Sequence, residues 1–313
     1  MQTEVQKLKN KTQKVKMQNS RGPKAREDSK LAAIMLSPAI LIMSLIILYP
    51  LFRSFILSFF NLELTKPGQE SFVFLENFKN LLASESFWNT FTNTITFVLT
   101  TVAISVILGL IIAIAIDQLP KKYAGYRGVI LVPWVIPGIV VGYLFMYMFD
   151  VEVGIINFFL QKVGIIESYL PWLMDGTLAM VAVIVAHIWN QIPFHILMIT
   201  AGLKNVPHDT MEAAYVDGAS RWQEFWHVTL PSLRGILVIS SILMIIRNFN
   251  NFPIIFTMTG GGPGESTTTG VLHIYKLAFE RYEISYASAM GIIWVLVLSI
   301  LSIIYIRSLH KEI

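Results

Sequence analysis

Residues 212–231 read EAAYVDGASRWQEFWHVTLP, an amphipathic, well-punctuated segment held between two strongly apolar runs. Asp209 stands three residues ahead of Glu212, and Ser220 three ahead of Gln223, the spacing of a capping oxygen and its reciprocal acid or amide at a helix start. Gly218 lies between the two starts and can take the left-handed conformation that closes a helix without a Cβ clash. Trp222, Phe225 and Trp226 fall at i, i+3 and i+4 on one face of the second helix, and Pro231 closes that helix or opens the next element. The reading is a helix, turn, helix knob.

Moving outward from the knob, six apolar runs are long enough to cross roughly 30 Å of hydrocarbon: about 31 to 52, 92 to 116, 128 to 149, 178 to 203, 235 to 258 and 286 to 306. The 313 residues are 54% hydrophobic and 14% charged, with mean hydropathy +0.61, which excludes an ordinary soluble domain. The fold expected is therefore an all-α integral membrane protein, a bundle of six transmembrane helices. No cysteine is present, so disulfides, thiolate metal sites and a catalytic thiol are excluded.

The first thirty residues carry nine Lys or Arg against Glu4, Glu27 and Asp28, with almost no apolar run, and read as a solvated basic tail rather than a cleaved signal peptide. Such a tail also suits anionic lipid or RNA. Outside the runs, and leaving out Arg53 at the edge of the first, the tail and alternate loops hold 17 Lys or Arg against 5 on the other side. The positive-inside rule then puts both termini and the knob in the cytoplasm. Residues 1–30 are the tail and 31–310 the membrane domain, with the knob inside a loop at 204–234.

With this topology in hand, Glu212, Ala213, Ala214, Gly218, Leu230 and Pro231 resemble the "EAA" loop of ATP-binding-cassette importer permeases, with Val228 where that family usually has Ile. The resemblance implies that the loop docks into a cleft of an ATPase subunit, with Glu212 meeting a cation there. The competing reading is a surface hairpin lying on the membrane. The outer segment FVFLENFKNLLASESFWNTFTNT, expected to form an interfacial helix with Phe74, Phe78, Leu81 and Leu82 on one side, is also similar to the family. So is TMTGGGPGESTTTGVLHIYKLAFERYEISYASAMG, which looks like the sugar-type branch. Gly260 to Gly264 lacks a following Gly-Lys-Ser/Thr, so it reads as a tight turn and not a phosphate loop.

Polar groups inside a span cost free energy unless they face protein or water, and two clusters mark a path. The fourth run carries His187, Asn190, Gln191, Phe194 and His195 at spacings of three and four; the fifth carries Arg247, Asn248, Asn250 and Asn251 beside Phe249 and Phe252. Amides next to aromatic faces suit sugar hydroxyls and ring faces. Interhelical hydrogen bonding is the bland alternative for each of them. Pro193 and Pro253 are expected to interrupt the backbone ladders nearby. NFNNF, followed by Thr-x-Gly-Gly-Pro, is similar to the fifth span of the maltose-type permease. That resemblance implies sugar contacts at Asn248, Asn251, Gln191, Phe194 and Trp134. Arg247 departs from the aromatic residue of that relative, and either selects an acidic or phosphorylated sugar or pairs with a partner subunit.

No catalytic motif is found, the six histidines are scattered, and no metal, cofactor or nucleic acid is expected. What the resemblance implies is a non-enzymatic permease subunit in the bacterial inner membrane. Its partners would be a second permease subunit, two ATP-binding subunits, an extracytoplasmic solute-binding protein and a sugar substrate. A glycerol phosphate or uronate oligosaccharide is the alternative solute. An ion-coupled secondary transporter would need repeats or a carboxylate within a span, and neither is seen. A structural membrane scaffold would leave the polar faces without a purpose.

Overall fold

The computed structural model describes residues 23–66, 68–120, 126–206 and 208–312. Most of the expected basic tail, with Lys121 and Lys122, lies outside them. The chain divides into two units, Met1–Ile56 and Leu57–Ile313. In the first, α1 (Pro23–Met43) runs through a π-helical turn at Ser44–Leu48 into α2 (Tyr49–Leu57), so that Lys30–Leu57 is one apolar helix of 28 residues. None of its most apolar window is buried within the chain.

The second unit opens with a two-residue antiparallel ladder that the sequence does not announce, β1 (Phe60–Asn61) on β2 (Ser71–Phe72), with Phe60 opposite Phe72. The ladder is held by Asn77, whose Nδ2 donates to the Ser58 and Phe60 carbonyls at 2.9 and 2.7 Å. Asn77 belongs to α3 (Glu76–Ala83), the expected interfacial helix, which proves only eight residues long. Phe74 precedes it at φ 49°, and Leu82 is exposed while Leu81 is buried, so those two leucines do not share a side.

The core is built on α4 (Glu85–Asp117) packed along α9 (Gly176–Leu203). Their backbones approach so closely that a Cβ on Gly109 would lie 2.7 Å from the Cβ of His195. Between them in sequence, the third apolar run is not one helix. It is α5 (Tyr126–Ile130), α6 (Val132–Val135) and α7 (Gly138–Met148), because Ile136 is extended at φ −69°, ψ 129° ahead of Pro137. After α7, α8 (Ile155–Lys162) lies in the loop that leads to α9, where buried Asn157 bonds Leu170 and the Trp172 ring N–H.

Then come α10 (His208–Val216), α11 (Arg221–Glu224), a π-helical turn at Phe225–Thr229 and α12 (Leu230–Phe249). The chain breaks at Asn250–Phe252 before α13 (Pro253–Thr259). Next are α14 (Gly270–Tyr275), a third π-helical turn at Lys276–Glu280 and α15 (Ile284–Glu312). Among the described residues five helices are long and apolar enough to cross a bilayer: Lys30–Leu57, Glu85–Asp117, Gly176–Leu203, Arg221–Phe249 and Ile284–Arg307. The sixth expected crossing is the broken third run. Pro193 takes one donor out of the backbone ladder, as expected, but α9 continues through it as a helix.

Candidate functional site

The knob forms as a hairpin of two short helices. Its turn is built by Gly218 at φ +78°, with Ala219 N–H donating to the Ala214 carbonyl and Asp217 N–H to that of Ala213. The Ala219 bond, reaching back five residues across Gly218, is what closes a helix through a left-handed residue. Ser220 and Gln223 make a complete capping box: Ser220 N–H donates to Gln223 Oε1 at 2.9 Å and Gln223 N–H to Ser220 Oγ at 3.4 Å. Asp209 does not cap. It sits inside the first turn of α10, where an acid meets the positive end of the helix.

Trp222, Phe225 and Trp226 do share a face, with ring centroids 5.2 to 6.2 Å apart. Pro231 opens the next element, standing in the first turn of α12 after the π-turn at 225–229, and Arg221–Phe249 runs on as a single helix. Glu212, Ala213, Gly218 and Pro231 are exposed, Ala214 and Leu230 half-buried, and Glu212 makes no ion pair among the described residues. An open groove runs between the two arms, lined by Ala214, Asp217, Gly218, Gln223, Glu224 and His227.

At membrane depth the polar residues fall into two groups. The first closes on itself. Gln191 Nε2 donates to Asn248 Oδ1 at 2.6 Å, Asn248 Nδ2 donates to Thr101 Oγ1 at 3.0 Å, and the Thr101 hydroxyl donates back to the Phe97 carbonyl at 2.7 Å. This chain ties α9 to α12 and α12 to α4, with Asn248 buried and both ends of its amide engaged. Asn190 is similarly structural, for its Nδ2 donates to the Pro133 carbonyl at 2.6 Å. In a regular helix that carbonyl would accept from residue 137; Pro137 has no N–H, and the neighbouring helix supplies the donor.

The second group is left open. Gln191 Oε1, Asn251 Oδ1, Trp134 Nε1 and His187 Nε2 are all buried and find no hydrogen-bond partner in the chain. Asn251 Nδ2 and His187 Nδ1 face each other at 3.3 Å, His187 packs 4.9 Å from Phe97, and the Trp134 and Phe194 rings lie 5.9 Å apart. Each unpaired buried group costs about 1–3 kcal/mol unless something fills the site. Arg247 is exposed, and among the described residues makes no ion pair. Sequence reasoning missed Thr101, whose bond back to its own helix makes it look like any threonine of an apolar run.

Glu265 knots the loop after α13 to the start of α4. Its Oε2 accepts from Ser86 at 2.7 Å, its carbonyl from Asn93 at 3.0 Å, and its Oε1 meets Arg281 at 3.3 Å. His273 Nδ1 lies 2.8 Å from Thr90 Oγ1; burial pushes its pKa down, Glu265 opposing and Arg281 and Lys276 assisting. Above the break, Phe252 and Phe256 stack at 4.8 Å and Tyr275 leans on both, a cluster the sequence pattern does not reveal. Among the described residues no group of His, Asp or Glu is placed to hold a metal ion.

Residues 105–313 match the family described as binding-protein-dependent transport system inner membrane component. The chain belongs to that family. Over 285 residues the permease is 33% identical to the sulfoquinovosyl glycerol transport system permease protein of Agrobacterium fabrum, covering 91% of this chain and 92% of that one. It is 32% identical over 284 residues to the trehalose/maltose transport system permease protein of Thermococcus litoralis, covering 90% and 94%. Its fold is that of a chain in the crystal structure of a bacterial ABC transporter involved in the import of the acidic polysaccharide alginate: TM-score 0.74, 20% identity, 92% of this permease and 96% of that chain. The permease is thus a multi-pass membrane component of a transport system that depends on a binding protein.

Proposed function

We propose that the permease is one of two membrane subunits of an ATP-binding-cassette importer and passes a sugar handed over by an external solute-binding protein. Two ATPase subunits drive it from the cytoplasm, and the chain itself performs no chemistry on the solute. Both termini and the 204–234 loop face the cytoplasm of a bacterial inner membrane, on the strength of the Lys and Arg distribution. The two relatives carry sugars in their names, one with a sulfo group and one neutral, so the likeness favours a carbohydrate and leaves its charge open.

The observation that carries the sugar reading is the open group within the spans. Gln191 Oε1 and Asn251 Oδ1 are acceptors for hydroxyl protons, Trp134 Nε1 is a donor, and the Trp134 and Phe194 rings offer faces for the apolar side of a sugar ring. Asn248 serves the same path by holding Gln191, whose amide has no freedom while that bond stands. Coupling is assigned to Glu212, Ala213, Ala214 and Gly218, with Leu230 and Pro231 joining the knob to the span. The two alanines admit a close partner backbone, and Glu212 is an exposed charge with no ion pair among the described residues.

The test is ATP-driven uptake of labelled maltose, trehalose, trigalacturonate, 6-sulfoglucose and glucose 6-phosphate by proteoliposomes holding both permeases and both ATPases, with and without the binding protein. Uptake of at least one of these sugars, dependent on the binding protein, is expected. Uptake of none, with the ATPase active, defeats the carbohydrate reading.

A further inference from the structure

Arg247 is the only charged residue in any of the six apolar runs. It stands near the middle of the fifth, roughly 18 Å along the helix from Gly235 at 1.5 Å per residue. Leu243, Arg247 and Asn250 are exposed at i, i+4 and i+7, and so form one stripe on α12. The other sides of α12 are taken by α4, α9 and α15. A guanidinium cannot shed its charge, and at the centre of a bilayer it is too costly to point at lipid. The stripe therefore faces water or another subunit. None of the six runs contains a carboxylate, so this chain supplies nothing at that depth to neutralise the charge.

Next to Arg247 along the chain stand Asn248, which holds Gln191 with its free acceptor, and, just past the end of α12, Asn251 with its own. Acceptors suit sugar hydroxyls but repel an oxyanion, so a solute with both needs a cation beside them. Arg is the side chain that takes a carboxylate, sulfonate or phosphate through two parallel N–H bonds. We infer that Arg247 binds an anionic group of the transported solute, and that the sugar carried is an acid: a uronate, a sulfonated sugar or a sugar phosphate. The inference rests on the sugar-importer reading above. The rival occupant of the stripe is a carboxylate of the second permease subunit.

Two measurements separate these. First, the solute-binding protein of the same system is titrated calorimetrically with trigalacturonate, 6-sulfoglucose and glucose 6-phosphate, beside maltose and trehalose. Binding of at least one of the three acids is expected. Binding of neutral sugars only overturns the inference and leaves the sugar-importer reading standing, whereas binding of no sugar overturns that reading itself. Second, uptake of the bound acid is measured per assembled complex for wild type, Arg247→Gln and Arg247→Lys. A charged hydrogen bond lost from the path predicts at least about a tenfold fall in uptake for Arg247→Gln, with Arg247→Lys less affected and both variants assembled. Uptake unchanged in Arg247→Gln overturns the inference. So does loss of the second permease from the complex in Arg247→Gln or in both variants, since that is the signature of an intersubunit ion pair.

Discussion

The knob at 208–231 and the polar crossing of α4, α9 and α12 use overlapping residue types, amides and hydroxyls beside aromatic rings, yet dispose of them in opposite ways. In the crossing, Gln191, Asn248 and Thr101 spend their hydrogen bonds on one another and fix three helices together. In the knob, Ser220 and Gln223 bond only within their own turn, while Glu212, Trp222 and Trp226 remain exposed. A side chain whose partners lie in its own chain acts on folding; one whose partners are absent acts on something else. Substitutions in the two regions should therefore be read out by different assays.

The largest effect is expected from Asn248→Leu. It removes two buried interhelical bonds and strands a Gln191 N–H, a loss of roughly 2–5 kcal/mol, so the amount of folded, monodisperse permease should drop sharply. A normal yield with weakened solute dependence of transport would instead make Asn248 a direct contact and break the contrast. Gly218→Val comes next. Nothing crowds a Cβ there, so only the positive φ opposes it, at about 1–3 kcal/mol confined to the turn. Membrane insertion should be normal while co-purification of the ATPase and solute-stimulated ATP hydrolysis fall; intact ATPase binding would show the knob to be plain surface.

The smallest effect is expected from acid. Burial holds the His273 pKa below 6.5, so the unfolded chain binds the proton more readily and the stability tied to neutral His273 is present above pH 6.5. It is lost as the pH falls from there through the folded value. The Tm of the detergent-solubilised permease should decline over that window, and His273→Gln should flatten the decline. An identical slope in the variant would assign acid sensitivity to other groups.

Much of this could be read in the sequence because each signal was local. Gly218 needs a positive φ, Ser220 and Gln223 stand at capping distance, and runs such as 92 to 116 are apolar for longer than a span requires. What could not be read depends on pairs distant in sequence. Thr101 meets Asn248, and Asn190 meets the carbonyl orphaned by Pro137, only after the helices pack. The break in the third run and the continuity through Pro193 show the same limit. Both segments carry proline, yet one breaks at Ile136–Pro137 and the other stays helical through Pro193, an outcome the proline alone does not decide. Nor did the sequence distinguish engaged amides from open ones: Asn248 and Asn251 lie three residues apart, yet Asn248 is fully engaged and Asn251 retains a bare acceptor.

The unbroken helix from Arg221 to Phe249 has a mechanical meaning. Its 29 residues span about 43 Å, with Trp222 near one end and Arg247 and Asn248 near the other. Because the chain stays helical through the π-turn and Pro231, this stretch can act as a lever. A push that tilts the knob end by roughly ten degrees swings the far end by about 7.5 Å over that length. A swing of that size exceeds the reach of the Gln191–Asn248 bond, so force applied at the knob would arrive at the polar crossing as a change of hydrogen-bond partner.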